Sequence, residues 1–240
     1  MKFTAKIKKV KKETHDVLTF VLDKPDDFTF TAGQYCLLTF DKRKEQRPFT
    51  FASSPTFDKI EITFKIMRDF TVDMADLKKG DELTIDGPKG ETYNFDESVK
   101  EDIVFLSGGS GVTPHISALR YAIDKNLENK FTMIFSNRKK KDIIFRDELQ
   151  KLNEKENVQV VNTLTKEEPG DWGGGGEETG YIDEDMIEKY VDDKKDKLWY
   201  ICGPPPMMDA MEKLLKQMDI PDDKVHVESW QIKGKHDKNG

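Results

Sequence analysis

Residues 102–122 read Asp-Ile-Val-Phe-Leu-Ser-Gly-Gly-Ser-Gly-Val-Thr-Pro-His-Ile-Ser-Ala-Leu-Arg-Tyr-Ala, and no other stretch limits the fold as much. Ile103 to Leu106 is a continuous apolar run, as expected of a strand buried on both faces. Gly108, Gly109 and Gly111 follow at once. After Pro114, Ile116, Leu119 and Ala122 recur at helical spacing. Proline is tolerated in a first helical turn, where its missing N–H would have had no partner. The order is therefore strand, glycine loop, helix start. Such a turn aims free backbone N–H groups and the positive end of a helix dipole at one point. Glycines let a bulky anion approach the backbone. A phosphate-bearing ligand is predicted there, with a tight ligand-free turn as the plain alternative. Pro114 stands where the dinucleotide fingerprint has its third glycine, and no lysine follows as a P-loop requires.

At 240 residues the chain has room for one large domain or two ordinary ones. Its net charge of -7 argues against general nucleic-acid binding, which needs a basic footprint. Charged residues make up 35% and mean hydropathy is -0.71. No apolar run approaches the ~20 residues of a membrane span, so no integral membrane segment is expected. The first ten residues carry no apolar signal core, so no secretion signal is expected either. Cys36 and Cys202 are the only cysteines. Two thiols fall short of the four that iron–sulfur clusters normally use, make no zinc ribbon, and are at home in a reducing cytoplasm. A cytoplasmic protein without a metal site is the expectation.

Residues 1–98 read as short strands separated by turn signals: Phe3 to Val10, Val17 to Leu22, Gln34 to Phe40, Pro48 to Phe51, Ile60 to Ile66 and Glu82 to Ile85. This spacing suggests a small antiparallel barrel or sandwich. One helix is predicted near Val72 to Leu77, stopped by Lys78-Lys79-Gly80. Beyond residue 98 the pattern changes. Five strand-like runs, 103–106, 131–135, 158–161, 198–201 and 225–227, alternate with helical patterns at 114–123, 144–152, 183–191 and 206–218. That alternation predicts a five-stranded parallel sheet with right-handed crossovers. Two domains follow, an all-β one at 1–98 and an α/β one at 99–232, with a flexible tail at 233–240. Residues 169–176, Pro-Gly-Asp-Trp-Gly-Gly-Gly-Gly, read as a mobile loop. Ligands of such sheets bind at the carboxyl ends of the strands. Two further stretches fall there: Ser136 to Lys141, which is basic, and Cys202 to Met208, which holds a thiol.

Three motifs together resemble one family. Arg47-Pro48-Phe49-Thr50 is similar to an Arg-x-Tyr-Ser/Thr flavin motif. Gly108-Gly109-Ser110-Gly111-Val112-Thr113-Pro114 is similar to a Gly-Gly-x-Gly-x-x-Pro loop. Cys202-Gly203-Pro204-Pro205-Pro206-Met207-Met208 is close to Cys-Gly-Pro-Pro-x-Met. In this order they resemble the ferredoxin–NADP⁺ reductase superfamily, flavin-dependent NAD(P)H reductases with a β-barrel flavin domain before a nucleotide-binding α/β domain. The likeness runs from about Phe3 to Trp230.

The resemblance implies FAD as cofactor and NADPH or NADH as co-substrate. It places Arg47 at the flavin pyrophosphate, where a planar fork of donors suits phosphate oxygens. Thr50 is placed at the flavin near N5, with Pro48 and Phe49 beside it. Phe49 replaces the usual tyrosine and loses its hydroxyl, though its ring can still pack on the flavin. Ser53 and Ser54 are further flavin candidates. Thr71 is a candidate phosphate contact at a helix start, or equally a plain N-cap, since the family's preceding glycine is missing. Gly108, Gly109, Ser110, Gly111, Thr113 and Pro114 are implied for the NAD(P)H pyrophosphate and the nicotinamide approach. Asn137 and Arg138 are implied for its far end, where Arg138 and the lysines after it could hold a 2′-phosphate. Cys202, with Gly203, Pro204 and Met207, is implied beside the nicotinamide, positioning it; a buried core thiol is the alternative. Glu228 is implied as a proton relay and Trp230 as a cover of the flavin face, with strand packing as the alternative for both. The implied activity is hydride transfer from NAD(P)H to FAD, then single electrons to a separate ferredoxin, flavodoxin, oxygenase component or haem protein. A reductase of small diffusible acceptors (free flavin, ferric chelates, quinones) and a nucleotide-sensing subunit without flavin stay open as alternatives.

Overall fold

The computed structural model describes residues 1–90, 94–167 and 176–228. The first half is a six-stranded antiparallel sheet made of β1 (Lys2–Lys12), β2 (Val17–Asp23), β3 (Tyr35–Phe40), β4 (Arg43–Thr50), β5 (Lys59–Lys65) and β6 (Glu82–Lys89). The strand order is β4-β3-β6-β1-β2-β5. Phe51, one residue beyond β4, bridges to Ile62 of β5, so the two edges of the sheet meet and a barrel results. Alternation fills it: Cys36, Leu38, Ile60, Ile62, Leu83 and Ile85 point inward and are fully buried. A ring of Phe28, Phe30 and Phe51 closes one part of this core, with centroids 4.5–6.1 Å apart.

Helix α1 (Asp69–Ala75) begins three residues before its predicted start. The Thr71 hydroxyl accepts from the N–H groups of Met67 and Arg68, and Asp69 sits in the first turn, where a carboxylate suits the helix dipole.

The second half is a parallel sheet with helices on both faces. Its strands are β7 (Ile103–Gly108), β8 (Phe131–Asn137), β9 (Val158–Leu164), β10 (Gly176–Thr179), β11 (Leu198–Cys202) and β12 (Val225–Val227). Among the described residues there are six strands where five were expected, in the order β10-β9-β8-β7-β11-β12. The additional one, β10, has the sequence Gly-Glu-Glu-Thr, without an apolar run to announce it. It pairs with β9 from Gly176↔Val161 to Thr179↔Leu164. The expectations for residues 168–175, Trp230 and the 233–240 tail lie outside the described residues. Helices α2 (Val112–Asp124) and α3 (Arg146–Leu152) cover one face, and α4 (Glu184–Tyr190) and α5 (Pro205–Gln217) the other. The core under α2 and α3 runs on into the barrel domain through Val17, Ala32, Ala52 and Phe95.

The strand order reverses between β7 and β11. In a doubly wound sheet that reversal opens a crevice beyond the carboxyl ends of the two strands. Here the loop after β7 and the loop after β11 meet so closely that glycine is required. A Cβ on Gly111 would lie 2.2 Å from the Cys202 carbonyl oxygen, and one on Gly108 would lie 2.3 Å from Met207 Sδ. Gly111→Ala must therefore push backbone against backbone. It is expected to lower stability by about 1–3 kcal/mol, the range for inserting a methyl where there is no room. Urea unfolding of the two proteins measures this; equal midpoints would mean the loops can part freely.

Candidate functional site

The crevice is framed by the start of α2 and the start of α5. Gly109 adopts φ +53°, and nothing lies within 4 Å of where its Cβ would be, so this backbone faces open space. Ser110 is exposed beside it. The Thr113 hydroxyl donates to the Ser110 carbonyl at 3.0 Å and holds the turn. Pro114 is buried in the first turn of α2. The loop expected to cradle phosphate thus divides its labour. Gly109 and Ser110 present the surface. Gly108 and Gly111 let the Cys202–Met207 loop approach. Gly203 belongs to the same contact: its Cβ would lie 3.0 Å from Met207 Sδ and 3.2 Å from the Gly108 backbone. Pro204, whose Cδ would lie 2.9 Å from a Cβ on Gly108, completes it.

A row of side chains crosses the strand ends behind these loops. Register aligns Cys202 with Ser107. The Glu228 N–H donates to the Ile201 carbonyl at 3.1 Å, bringing Glu228 alongside Cys202. Cys202 is 2% exposed and Glu228 8%. Among the described residues Glu228 Oε2 has no hydrogen-bond partner, and burial holds its carboxyl well above the usual carboxylate range. Two buried amide atoms farther along are also unpartnered: Nδ2 of Asn137, at the end of β8, and Oδ1 of Asn162, in β9. Arg138 is exposed next to Asn137. Buried polar atoms without partners carry a desolvation penalty that a polar ligand can relieve. A bound nucleotide at these strand ends fits that need.

The sequence reading did not single out Asn162, since one asparagine within the β-rich run Val158–Leu164 looks like an interruption. It also passed over His115, which is fully buried, stacks on Phe105 at 4.6 Å and bonds the Ser107 hydroxyl through Nδ1. Burial pushes His115 down to about 3, so the imidazole is neutral.

On the barrel side, Arg47 is exposed, its guanidinium 6.0 Å from the Phe70 ring. Pro48 is half-buried, and Thr50 is 4% exposed with no hydroxyl partner among the described residues. An exposed guanidinium three residues from an unengaged hydroxyl fits a flavin's phosphate and ring ends. Four of the barrel candidates have partners within the protein. The Phe49 ring packs on Phe64 and Phe70, at 6.4 and 6.0 Å, and so belongs to the edge of the barrel core. Ser53 is wholly buried, and its hydroxyl accepts from the Glu61 N–H at 3.1 Å; Ser54, equally buried, bonds Thr56. Thr71 uses its hydroxyl in the cap of α1, also donating to the Arg68 carbonyl at 3.0 Å, so it is a cap and no free phosphate donor.

Glu228 generates a pH prediction. Its folded pKa lies above its unfolded one, so the stability linked to it is complete at acid pH. That stability is lost as pH rises from about 4.5 through the folded value. Glu228→Gln cannot ionise. It is expected to melt above the native protein at pH 8, with the gap closing toward pH 4. A pH-independent gap in thermal melts would remove the buried-carboxylate account.

Two family models match the chain in succession: an FAD-binding domain over residues 2–93 and an oxidoreductase NAD-binding domain over 105–213. The glycine betaine monooxygenase reductase subunit of Chromohalobacter salexigens is 32% identical over 233 residues, 92% of this chain. The chain spans 62% of that protein's length. A ferredoxin NADP⁺ reductase from Neisseria gonorrhoeae, solved with bound FAD and NADP, superposes with a TM-score of 0.79 at 22% identity, over 95% of this chain and 98% of that one. The ferredoxin reductase in carbazole 1,9a-dioxygenase superposes with a TM-score of 0.82 at 23% identity, over 96% and 69%. A barrel that matches an FAD-binding domain is followed by an α/β unit that matches an oxidoreductase NAD-binding domain, and together they have the two-domain fold of the ferredoxin–NADP⁺ reductases.

Proposed function

We propose that the protein is an FAD-dependent NAD(P)H oxidoreductase that passes electrons to a separate one-electron acceptor protein. The observation that carries this reading is the crevice at the strand-order reversal, where Gly109 faces open space and Cys202 and Glu228 lie side by side. When bound, FAD supplies the redox chemistry, accepting a hydride and releasing electrons one at a time. The protein's part is to bind and to align. Arg47 binds the flavin pyrophosphate through its fork, and Thr50 offers its hydroxyl to the ring near N5. Gly109 and Ser110 receive the nucleotide pyrophosphate at the start of α2. Cys202, held by the close passage of its carbonyl against Gly111, fixes where the nicotinamide can lie. Hydride transfer depends steeply on that alignment. Glu228 keeps a proton on its carboxyl because burial disfavours the anion, which suits it to relay one.

At the far end of the nucleotide, Asn137 and Asn162 take its polar groups. Arg138 and Lys139 favour a 2′-phosphate, whereas the Glu167 carboxylate, which accepts from the Lys140 N–H, disfavours one. Both NADPH and NADH are therefore candidate donors. The likeness to a monooxygenase reductase subunit supports an oxygenase component as acceptor, with ferredoxin, flavodoxin and haem proteins in the same class. Among the described residues no helix is long and apolar enough to cross a membrane.

The purified protein should show flavin absorption that bleaches on anaerobic addition of NADPH or NADH. A colourless protein that takes up no FAD would refute the reading. Arg47→Ala should bind FAD roughly ten- to a hundredfold more weakly, the equivalent of about 1.5–3 kcal/mol for a charge-assisted bond. Unchanged flavin content would remove Arg47 from the pyrophosphate. Cys202→Ala should slow flavin reduction in stopped flow far more than it raises the NAD(P)H dissociation constant.

A further inference from the structure

Beside the apolar core they share at Val17, Ala32, Ala52 and Phe95, the two domains are tied by a polar stripe of α2. Ser117, Arg120 and Asp124 are spaced i, i+3 and i+7, so they share a helix face. All three bond to residues 52–56, the segment that leaves β4 just after Thr50. The Ser117 hydroxyl donates to the Ser53 carbonyl at 2.7 Å, Arg120 Nη1 donates to the Ala52 carbonyl at 2.7 Å, and the Thr56 hydroxyl donates to Asp124. Arg120 is the centre of the stripe and is 8% exposed. Its fork reaches both domains: Nη1 bonds Glu61 of the barrel at 2.9 Å, while Nε and Nη2 bond the two Glu148 oxygens of α3 at 2.7 Å each. Lys11 in turn bonds Glu61, so cations and carboxylates alternate from β1 through to α3. The rings of Phe57 and Phe145 lie over the guanidinium at 5.8 and 5.1 Å, one from each domain.

We infer that Arg120 is a positioning residue that sets how far the nicotinamide loop stands from the flavin. The inference rests on the proposed function and adds a part to it. α2 starts at the glycine loop, so wherever the stripe holds α2, it holds Gly109 to Thr113. Its other end is fastened to the Ala52 carbonyl, two residues from Thr50. The path from one cofactor's loop to the other's hydroxyl is therefore a single helix, one planar side chain and two peptide units. A guanidinium satisfies Ala52, Glu61 and Glu148 together because its donors have fixed directions; an ammonium is a point charge without that fork.

The test compares the native protein with Arg120→Lys, which keeps the charge, and Ser117→Ala, which removes a neighbouring tie. Both should keep their FAD content and their NAD(P)H dissociation constant within about twofold. Flavin reduction at saturating nucleotide should fall at least tenfold in Arg120→Lys and less in Ser117→Ala. Without nucleotide, amide exchange across residues 52–57 should accelerate in both, a readout independent of turnover. A native reduction rate in either variant whose 52–57 amides exchange faster would overturn the inference. So would parallel loss of FAD and of rate in both, which marks a purely structural bond. Should Arg120→Lys not fold, Ser117→Ala carries the same comparison. If the native protein itself is not bleached by NADPH or NADH, the proposed function fails, and the inference falls with it. Bleaching of the native protein with unchanged variants refutes the inference alone.

Discussion

Everything at the candidate site depends on two backbones that pass too close for a side chain. The Gly111 Cα and the Cys202 carbonyl leave no room for even a methyl. Among the described residues, this contact joins the only neighbouring strands, β7 and β11, whose connections run in opposite directions across the parallel sheet. Because they diverge, no crossover helix covers the gap between them, and a ligand can lie there. Because the loops touch, the gap has a rigid floor. Cys202, Ser107 and Glu228 line up behind that floor through strand register rather than through loop contacts, so their mutual spacing is as firm as the sheet.

Burying Arg120 is a second constraint. An uncompensated charge at 8% exposure is strongly disfavoured, and removing one partner of a buried pair typically costs about 3–5 kcal/mol. Two carboxylates, a carbonyl and two aromatic faces answer it, divided between the domains. The seam is thus apolar around Val17, Ala52 and Phe95 and polar at its centre. The apolar part buries surface from both domains, while the polar part adds hydrogen bonds of fixed direction between them. Phe145 shows how tightly this is built: it takes φ +56°, uncommon for a bulky side chain, while its ring lies over the guanidinium.

Much of this was legible beforehand because the signals were local. Strands β7, β8 and β9 each contain a short apolar stretch, and the loops after β7 and β11 announce themselves by glycine and proline. What escaped was of two kinds. β10 is Gly-Glu-Glu-Thr, and only its pairing with β9 makes it a strand. The Ser53 hydroxyl turned out to serve the backbone, and Thr71 proved the plain cap of its two readings, because a hydroxyl near a ligand motif looks the same whether it serves the ligand or the backbone. The partners of Arg120 lie 28 and 59 residues away, and nothing in residues 112–124 names them. The sequence did carry one hint: an arginine within a helix whose residues from Val112 to Ala122 are all buried has to meet a carboxylate somewhere.

The two edges of the parallel sheet bear on how such chains live together in a crowded solution. Its inner strands β8 and β9 are seven residues each and rich in β-branched and apolar residues, the kind of template on which another chain could add itself. Both are walled off. On one side the outermost strand is β10, four residues with two glutamates, one of them tied to Lys189 and Tyr190. On the other it is β12, three residues long. Among the described residues a passing strand meets a short ladder at either edge, and a charged one at β10. The weak sequence that hid β10 from prediction is what makes it a poor nucleus for aggregation.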